Sequence, residues 1–167
     1  MNNTVVLTGM MGCGKSSIGK ELAEQMGVKF IDTDFEIEKK INMKIEDIFK
    51  EKGESFFRKI EEKICIDLID GKSKVISLGG GAFLNNKIRQ VILKKSLSIW
   101  IDVNYKIIAK RLKSSKKLRP ILNYAKLEDS VKSILKERVP IYKLATLRIE
   151  ASDKTKKKIA AEIIKFL

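Results

Sequence analysis

The chain has 167 residues, 44% apolar and 34% charged, with a mean hydropathy of −0.14. That length suggests one domain, residues 1–167, large enough to hold together without disulfides or metals; the composition argues against disorder and collagen, and no apolar run approaches the ~18 residues of a membrane span. Histidine is absent, which removes Ser-His-Asp and Cys-His triads, His-ligated zinc and HExxH proteases and leaves acid–base work to carboxylates, lysine, tyrosine or the substrate.

Met1-Asn2-Asn3-Thr4 lacks the basic start of a secretory signal. The two cysteines, Cys13 and Cys65, form no zinc or redox pattern, so a reducing, cytoplasmic setting is expected. The β-branched run Thr4–Thr8 reads as a buried strand ending at Gly9, and Lys15–Met26 as a helix with Ile18, Leu22 and Met26 at four-residue spacing. Lys29–Asp32 is a second strand. Residues 35–42, 45–52 and 54–70 read as helices, the last with Ile60, Ile64 and Leu68 on one face, and 75–78 as a strand closed by Gly79-Gly80-Gly81. Asn86–Lys95 is helical, Leu97–Asp102 a strand and Tyr105–Lys113 a helix. Residues 114–120 are basic and aperiodic, the pattern of a mobile loop. Residues 126–138 are helical with Pro140 marking an end or kink, 144–149 is a fifth strand, and 154–167 closes the chain as a helix. Alternating strands and helices argue for an α/β fold, a parallel sheet covered on both faces.

Net charge is +14, from 35 basic and 21 acidic residues. It is uneven: residues 1–86 carry 13 basic and 14 acidic side chains, residues 87–167 carry 22 and 7. A solvated lysine face accounts for this; the functional reading is an electropositive lobe facing a polyanion, although no aromatics interleave the basic runs as a single-strand binder would want. Only six of the basic residues are arginine, namely Arg58, Arg89, Arg111, Arg119, Arg138 and Arg148. In so lysine-rich a chain they mark candidate positions for a planar, bidentate guanidinium.

Gly9-Met10-Met11-Gly12-Cys13-Gly14-Lys15-Ser16 fits GxxxxGK[ST] between a predicted strand and a predicted helix, the setting that makes this phosphate-loop pattern specific. Its glycines let backbone N–H groups turn inward, the helix start adds its dipole, Lys15 can reach the β/γ-phosphates and the Ser16 hydroxyl can ligate Mg²⁺. Cys13 reads as a small filler without a base partner. Its place at a helix start also suggests a reactive thiol that ATP would protect. Asp32 and Asp34 stand at the end of the second strand, where ligands of such sheets bind, and face the same side if strand geometry persists. The three glycines 79–81 suggest close approach of a ligand. At least one of Phe56 and Phe57 belongs to a core, and Arg58 follows them. Arg119-Pro120 ends the basic loop, and Arg138 sits at a helix end in Arg138-Val139-Pro140-Ile141-Tyr142.

Together these residues resemble the shikimate kinases over nearly the whole chain. The phosphate loop, Asp32-Thr33-Asp34, Ile48-Phe49 with Gly53-Glu54 and Phe57-Arg58-Lys59-Ile60-Glu61, then Gly79–Gly81, Arg119-Pro120 and Arg138-Val139-Pro140-Ile141-Tyr142 stand in the family's order. The resemblance implies a P-loop NTPase fold with a five-stranded parallel sheet, an acceptor-binding region at about 33–61 and a mobile lid at about 112–124. It implies ATP-dependent phosphorylation of a shikimate hydroxyl, giving shikimate 3-phosphate and ADP in aromatic amino-acid biosynthesis. Gly12, Cys13, Gly14, Lys15, Ser16 and Ser17 would hold the phosphates, with Ser16 on Mg²⁺ directly and Asp32 through water. Asp34 would meet the acceptor hydroxyl, Arg58 and Arg138 the carboxylate, and the Gly80 and Gly81 backbone the ring hydroxyls. Arg119 would reach the transferring phosphoryl group and Arg111 would lie against adenine, with Lys15, Asp34 and Arg119 as the catalytic set. The expected enzyme is a cytoplasmic monomer without nucleic-acid or membrane partners. Two departures stand out: Glu150-Ala151-Ser152-Asp153-Lys154 lacks the family's proline and second arginine on the adenine side, and the lid is unusually lysine-rich. The alternatives are a gluconate- or nucleoside monophosphate-type kinase, or a non-catalytic, nucleotide-dependent nucleic-acid binder.

Overall fold

The computed structural model describes residues 4–167; Met1–Asn3, part of the start that lacks a signal's basic residues, lie outside the described residues. Strands β1 (Thr4–Thr8), β2 (Lys29–Asp32), β3 (Lys74–Ser77), β4 (Leu97–Asp102) and β5 (Leu147–Glu150) form one all-parallel sheet in the order β2-β3-β1-β4-β5. Between them run α1 (Lys15–Met26), α2 (Thr33–Ile41), α3 (Ile45–Leu68), α4 (Asn86–Lys95), α5 (Tyr105–Lys113), α6 (Leu127–Tyr142) and, after β5, α7 (Lys156–Ile164). Central β1 is buried along its whole length, which is why it reads as a continuous apolar run rather than an alternating one. It pairs with β3 on one side and β4 on the other, so a crevice opens beyond its carboxyl end, where open parallel sheets bind ligands.

The main core lies between the sheet and its flanking helices, and a second cluster of Ile37, Ile45, Ile48, Phe57 and Ile64 joins α2 to α3. The α2–α3 unit beside the crevice thus has packing of its own. The helices read at 45–52 and 54–70 run end to end as α3, broken at Gly53, where φ is 82° and ψ 166°. No atom lies within 4 Å of a Cβ built there, so backbone conformation rather than crowding calls for glycine.

Several boundaries differ from the sequence reading: β3 sits one residue earlier, at Lys74–Ser77, α2 begins at Thr33 and α7 ends at Ile164. Helix α6 runs through Pro140 to Tyr142; in the last turn the missing N–H forfeits one bond and the helix carries on. Consequently β5 begins at Leu147 rather than at 144. Helix α7 starts at Lys156 because Thr155 caps it, its Oγ1 accepting from the Lys158 N–H at 3.3 Å. No described helix is long and apolar enough to cross a membrane.

Candidate active site

The turn from β1 into α1 forms the floor of the crevice. Gly9 has φ 142°, and a Cβ there would stand 2.7 Å from the Ile101 carbonyl oxygen, so both conformation and space exclude a side chain. Lys15 is only 7% exposed and its Nζ donates to the Gly9 and Met10 carbonyls at 2.8 and 3.0 Å, a cation held inside the loop. Ser16 Oγ donates to Asp32 Oδ2 at 2.5 Å and lies 3.4 Å from Ser77 Oγ. Gly12, Gly14, Lys15, Ser16 and Ser17 line a cavity of about 290 Å³ together with Asp32, Asp34, Gly79, Gly80, Arg111 and Arg119.

The Cys13 side chain is not in that cavity. It is 1% exposed within the main core, its Sγ 3.8 Å from Lys15 Nζ. The expectation of an accessible, ATP-protected thiol is corrected accordingly and the filler reading holds, although Cys13 is among the residues lining a neighbouring cavity. Cys65 is also buried, which pushes its thiol well above the usual range.

Asp32 and Asp34 both reach the cavity, but not through strand alternation. β2 stops at Asp32, which caps α2: its Oδ1 accepts from the Asp34 and Phe35 N–H groups at 3.0 and 3.3 Å. Asp34 is therefore a first-turn helical residue. Burial pushes its carboxyl above the ordinary range and Asp32 adds to this, while Lys117, Arg119 and Lys15 pull the other way. Arg119 Nη1 lies 3.7 Å from Asp34 Oδ2, and the Arg119 Nε is buried without a partner.

The three glycines after β3 each face a different polar side chain. A Cβ on Gly79 would lie 2.6 Å from Asp34 Oδ1, one on Gly80 3.1 Å from the Met11 backbone N and 3.4 Å from Arg138 Nη1, and one on Gly81 2.8 Å from Arg58 Nη1. Crowding, not backbone conformation, explains the run. Thr33 Oγ1 accepts from the Gly79 N–H at 2.9 Å, and Tyr142 Oη donates to the Gly80 carbonyl at 2.6 Å. Burial raises the Tyr142 phenol to about 12, so it stays a donor at neutral pH.

Arg58 donates to Glu61 Oε2 at 2.8 Å and pairs with Glu54 at 3.3 Å. Burial opposes its charge, but Glu61 and Glu54 outweigh that and raise it. Glu61 is 2% exposed, and burial lifts its carboxyl despite Arg58. Arg138 is 6% exposed and its buried Nη1 has no hydrogen-bond partner among the described residues. Two guanidinium groups thus converge on one glycine-walled face with Asp34 beside them. Such a face suits a small anion carrying hydroxyls.

Arg111 and Arg119 line this crevice, and Arg138 and Arg58 lie against Gly80 and Gly81 beside it. Arg111 Nη1 donates to the Cys13 carbonyl at 3.2 Å, and Arg111 also lines a neighbouring cavity toward β5 and α7. Of the others, Arg89 ties the Phe83 and Leu84 carbonyls at 2.9 and 3.1 Å, and Arg148 pairs with Asp102 at 2.6 Å. Sequence reasoning gave no role to Thr33, Glu61, Lys117 or Tyr142. Glu61 and Tyr142 had a usable signal, standing three and four residues after a flagged arginine on a helix; Thr33 and Lys117 had none, since their neighbours are distant in sequence.

A family model described as shikimate kinase matches residues 11–167. A shikimate kinase of Bartonella quintana (strain Toulouse) is 40% identical over 161 residues, 96% of this chain and 76% of that relative. The solved shikimate kinase from Acinetobacter baumannii in complex with shikimate superposes with a TM-score of 0.93 at 30% identity, covering 98% of this chain and 92% of that one. A gluconokinase from Sinorhizobium meliloti 1021 superposes with a TM-score of 0.60 at 16% identity over 98% and 90% of the two chains, a likeness of fold alone.

Proposed function

This chain belongs to the shikimate kinase family, and on that premise we propose that it transfers the γ-phosphoryl group of ATP to a hydroxyl of shikimate, releasing ADP and shikimate 3-phosphate, with the residues gathered at the crevice. The observation that carries this reading is the Gly79–Gly81 wall, which brings Asp34, Arg138 and Arg58 onto one face beside the phosphate loop. A carboxylate on the acceptor would pair with the two guanidinium groups and supply the missing partner of Arg138 Nη1. The Gly80 carbonyl is already taken by Tyr142, which leaves the Gly80 and Gly81 N–H groups as the backbone donors for ring hydroxyls.

Phosphoryl transfer asks the protein for position and charge rather than covalent chemistry. The loop amides, the start of α1 and Lys15 bind the β- and γ-phosphates, and Arg119 adds a cation between them and Asp34. Asp34 accepts the hydroxyl proton as the acceptor oxygen bonds to phosphorus and the bridging oxygen departs with ADP. Its raised carboxyl is the better base for this, since a proton acceptor works best when its own affinity nears the working pH.

Mg²⁺ fits the oxygen donors beside the phosphates, the Ser16 hydroxyl and, through water, the Asp32 carboxylate. Among the described residues no trio of carboxylate or thiol side chains could hold a metal unaided, as suits an ion that keeps water and phosphate in its shell. Bound there, it would offset phosphate charge. The reading takes the segment at about 112–124 as a lid and the enzyme as a cytoplasmic monomer without nucleic acid. The test is ADP release from Mg-ATP with shikimate, gluconate or a nucleoside monophosphate as acceptor. Shikimate should be preferred by more than a hundredfold in kcat/KM; a better rate with either of the others would point to the sister kinases.

A further inference from the structure

The cavity next to the phosphate loop is built differently from the crevice. It measures about 390 Å³ and has an apolar side of Ile18, Ala151 and Ile159. Gly14, Ser17 and Arg111 line both cavities, so a nucleotide whose phosphates lie on the loop reaches this second space with its base. Cys13 and two lysines, Lys154 and Lys156, complete the wall and make it cationic. Lys154 Nζ is held by Glu162 at 2.7 Å and Lys156 Nζ by Glu21 at 3.4 Å, which orients each ammonium and leaves it further donors.

Among the described residues, no carboxylate or amide side chain lines this space. Its long polar side chains only donate, and the Ser17 hydroxyl is the single side-chain oxygen. Adenine and guanine differ at C6, where adenine carries an amine that donates and guanine an oxygen that accepts. A lysine donor serves guanine there, whereas the adenine amine is left to backbone carbonyls, the serine or water. The side chains offer nothing that adenine uses and guanine lacks. Strong exclusion between analogues arises where a buried group is left unpaired by the wrong one, and none of the lining side chains is such a group against guanine.

Resting on the kinase reading above, we infer that this enzyme does not select adenine over guanine, that GTP serves as a phosphoryl donor beside ATP, and that Lys154 is the specificity-determining residue that admits the guanine O6. The apolar side and the Arg111 guanidinium hold either purine by its faces. Selection is then by ring size and phosphate number rather than by the base edge.

The experiment compares kcat/KM for ATP, GTP and ITP at saturating shikimate, and measures ATP and GTP affinity by calorimetry. ITP keeps the O6 and lacks the guanine amine, so it isolates the C6 contact. GTP and ITP should both lie within tenfold of ATP, in turnover and, for GTP, in affinity. Lys154→Ala should lower the GTP-to-ATP ratio at least threefold through KM, with kcat little changed, and Lys154→Arg should preserve it. A GTP value more than tenfold below ATP overturns the inference, and a smaller change in Lys154→Ala overturns the assignment of Lys154. If neither nucleotide phosphorylates shikimate, the kinase reading fails instead, while calorimetry still decides the base selectivity.

Discussion

Replacing Arg138 by lysine separates charge from geometry at the acceptor face. Arg138 is 6% exposed, with its Nη1 buried and unpartnered beside Gly80, whereas the Arg58 side chain is 33% exposed and already pairs with Glu61 and Glu54. An acceptor carboxylate therefore relieves more at Arg138 than at Arg58. Breaking a buried, hydrogen-bonded charge pair costs ~2–5 kcal/mol, or about 30- to 5,000-fold in affinity. Lysine keeps the charge and loses the fork, so Arg138→Lys should raise KM for shikimate at least tenfold and Arg58→Lys by at least tenfold but less than Arg138→Lys. KM for ATP should stay within about threefold in both. The assay is coupled ADP release, with circular dichroism to confirm folding. Shikimate with its carboxylate converted to an amide should lose far more against the parent enzyme than against Arg138→Lys. Parent-like KM values in both lysine variants, or equal use of the amide, would refute the clamp.

Lys15→Met should fold normally and lose nearly all turnover, because its Nζ is the cation held inside the phosphate loop; a folded variant with most of its activity would contradict that placement. Asp34→Asn should lower kcat by ~10²–10⁴ with ATP affinity little changed, and the acid limb of the parent's pH profile should lie above the ordinary aspartate value of 3.8. The same shift has a stability consequence with a definite sign. A carboxyl raised on folding binds its proton more tightly in the folded state, so its contribution is full below 3.8 and fades as pH rises through the folded value. Asp34→Asn should therefore melt higher than the parent at pH 7 and alike near pH 3.5, each ~1 kcal/mol appearing as about 2–4 °C; a lower melting point at pH 7 would reverse the sign. Thiol labelling of the native protein should be slow at Cys13 with or without ATP, because the side chain is buried; rapid labelling in the folded state would place it in the cavity after all.

The sheet was legible because its strands are short, apolar and separated by glycine turns: β1, α1, β2, α4, β4 and α5 have the bounds their residue patterns suggest. Among the boundaries that moved, three are set by a single residue, the Asp32 cap that starts α2, the Thr155 cap of α7, and Pro140, which ends nothing. The phosphate loop was readable from spacing alone, since all its atoms come from one turn. The scarcity of arginine marked Arg58, Arg111, Arg119 and Arg138, but not what they face. That Gly79, Gly80 and Gly81 each accommodate a different one of Asp34, Arg138 and Arg58 depends on contacts across α2, α3 and α6. No local pattern carries such contacts. Direction failed for Cys13, which packs inward; Asp34 does line the cavity, but from the first turn of α2 rather than from a strand.

The most direct test of the central claim is the chemical identity of the product. Purified protein incubated with Mg-ATP and shikimate should yield, one for one with ADP, a phosphate monoester of shikimate, seen by phosphorus NMR as a signal split by a ring C–H proton. ADP accompanied only by inorganic phosphate, or formed at the same rate without shikimate, would contradict it.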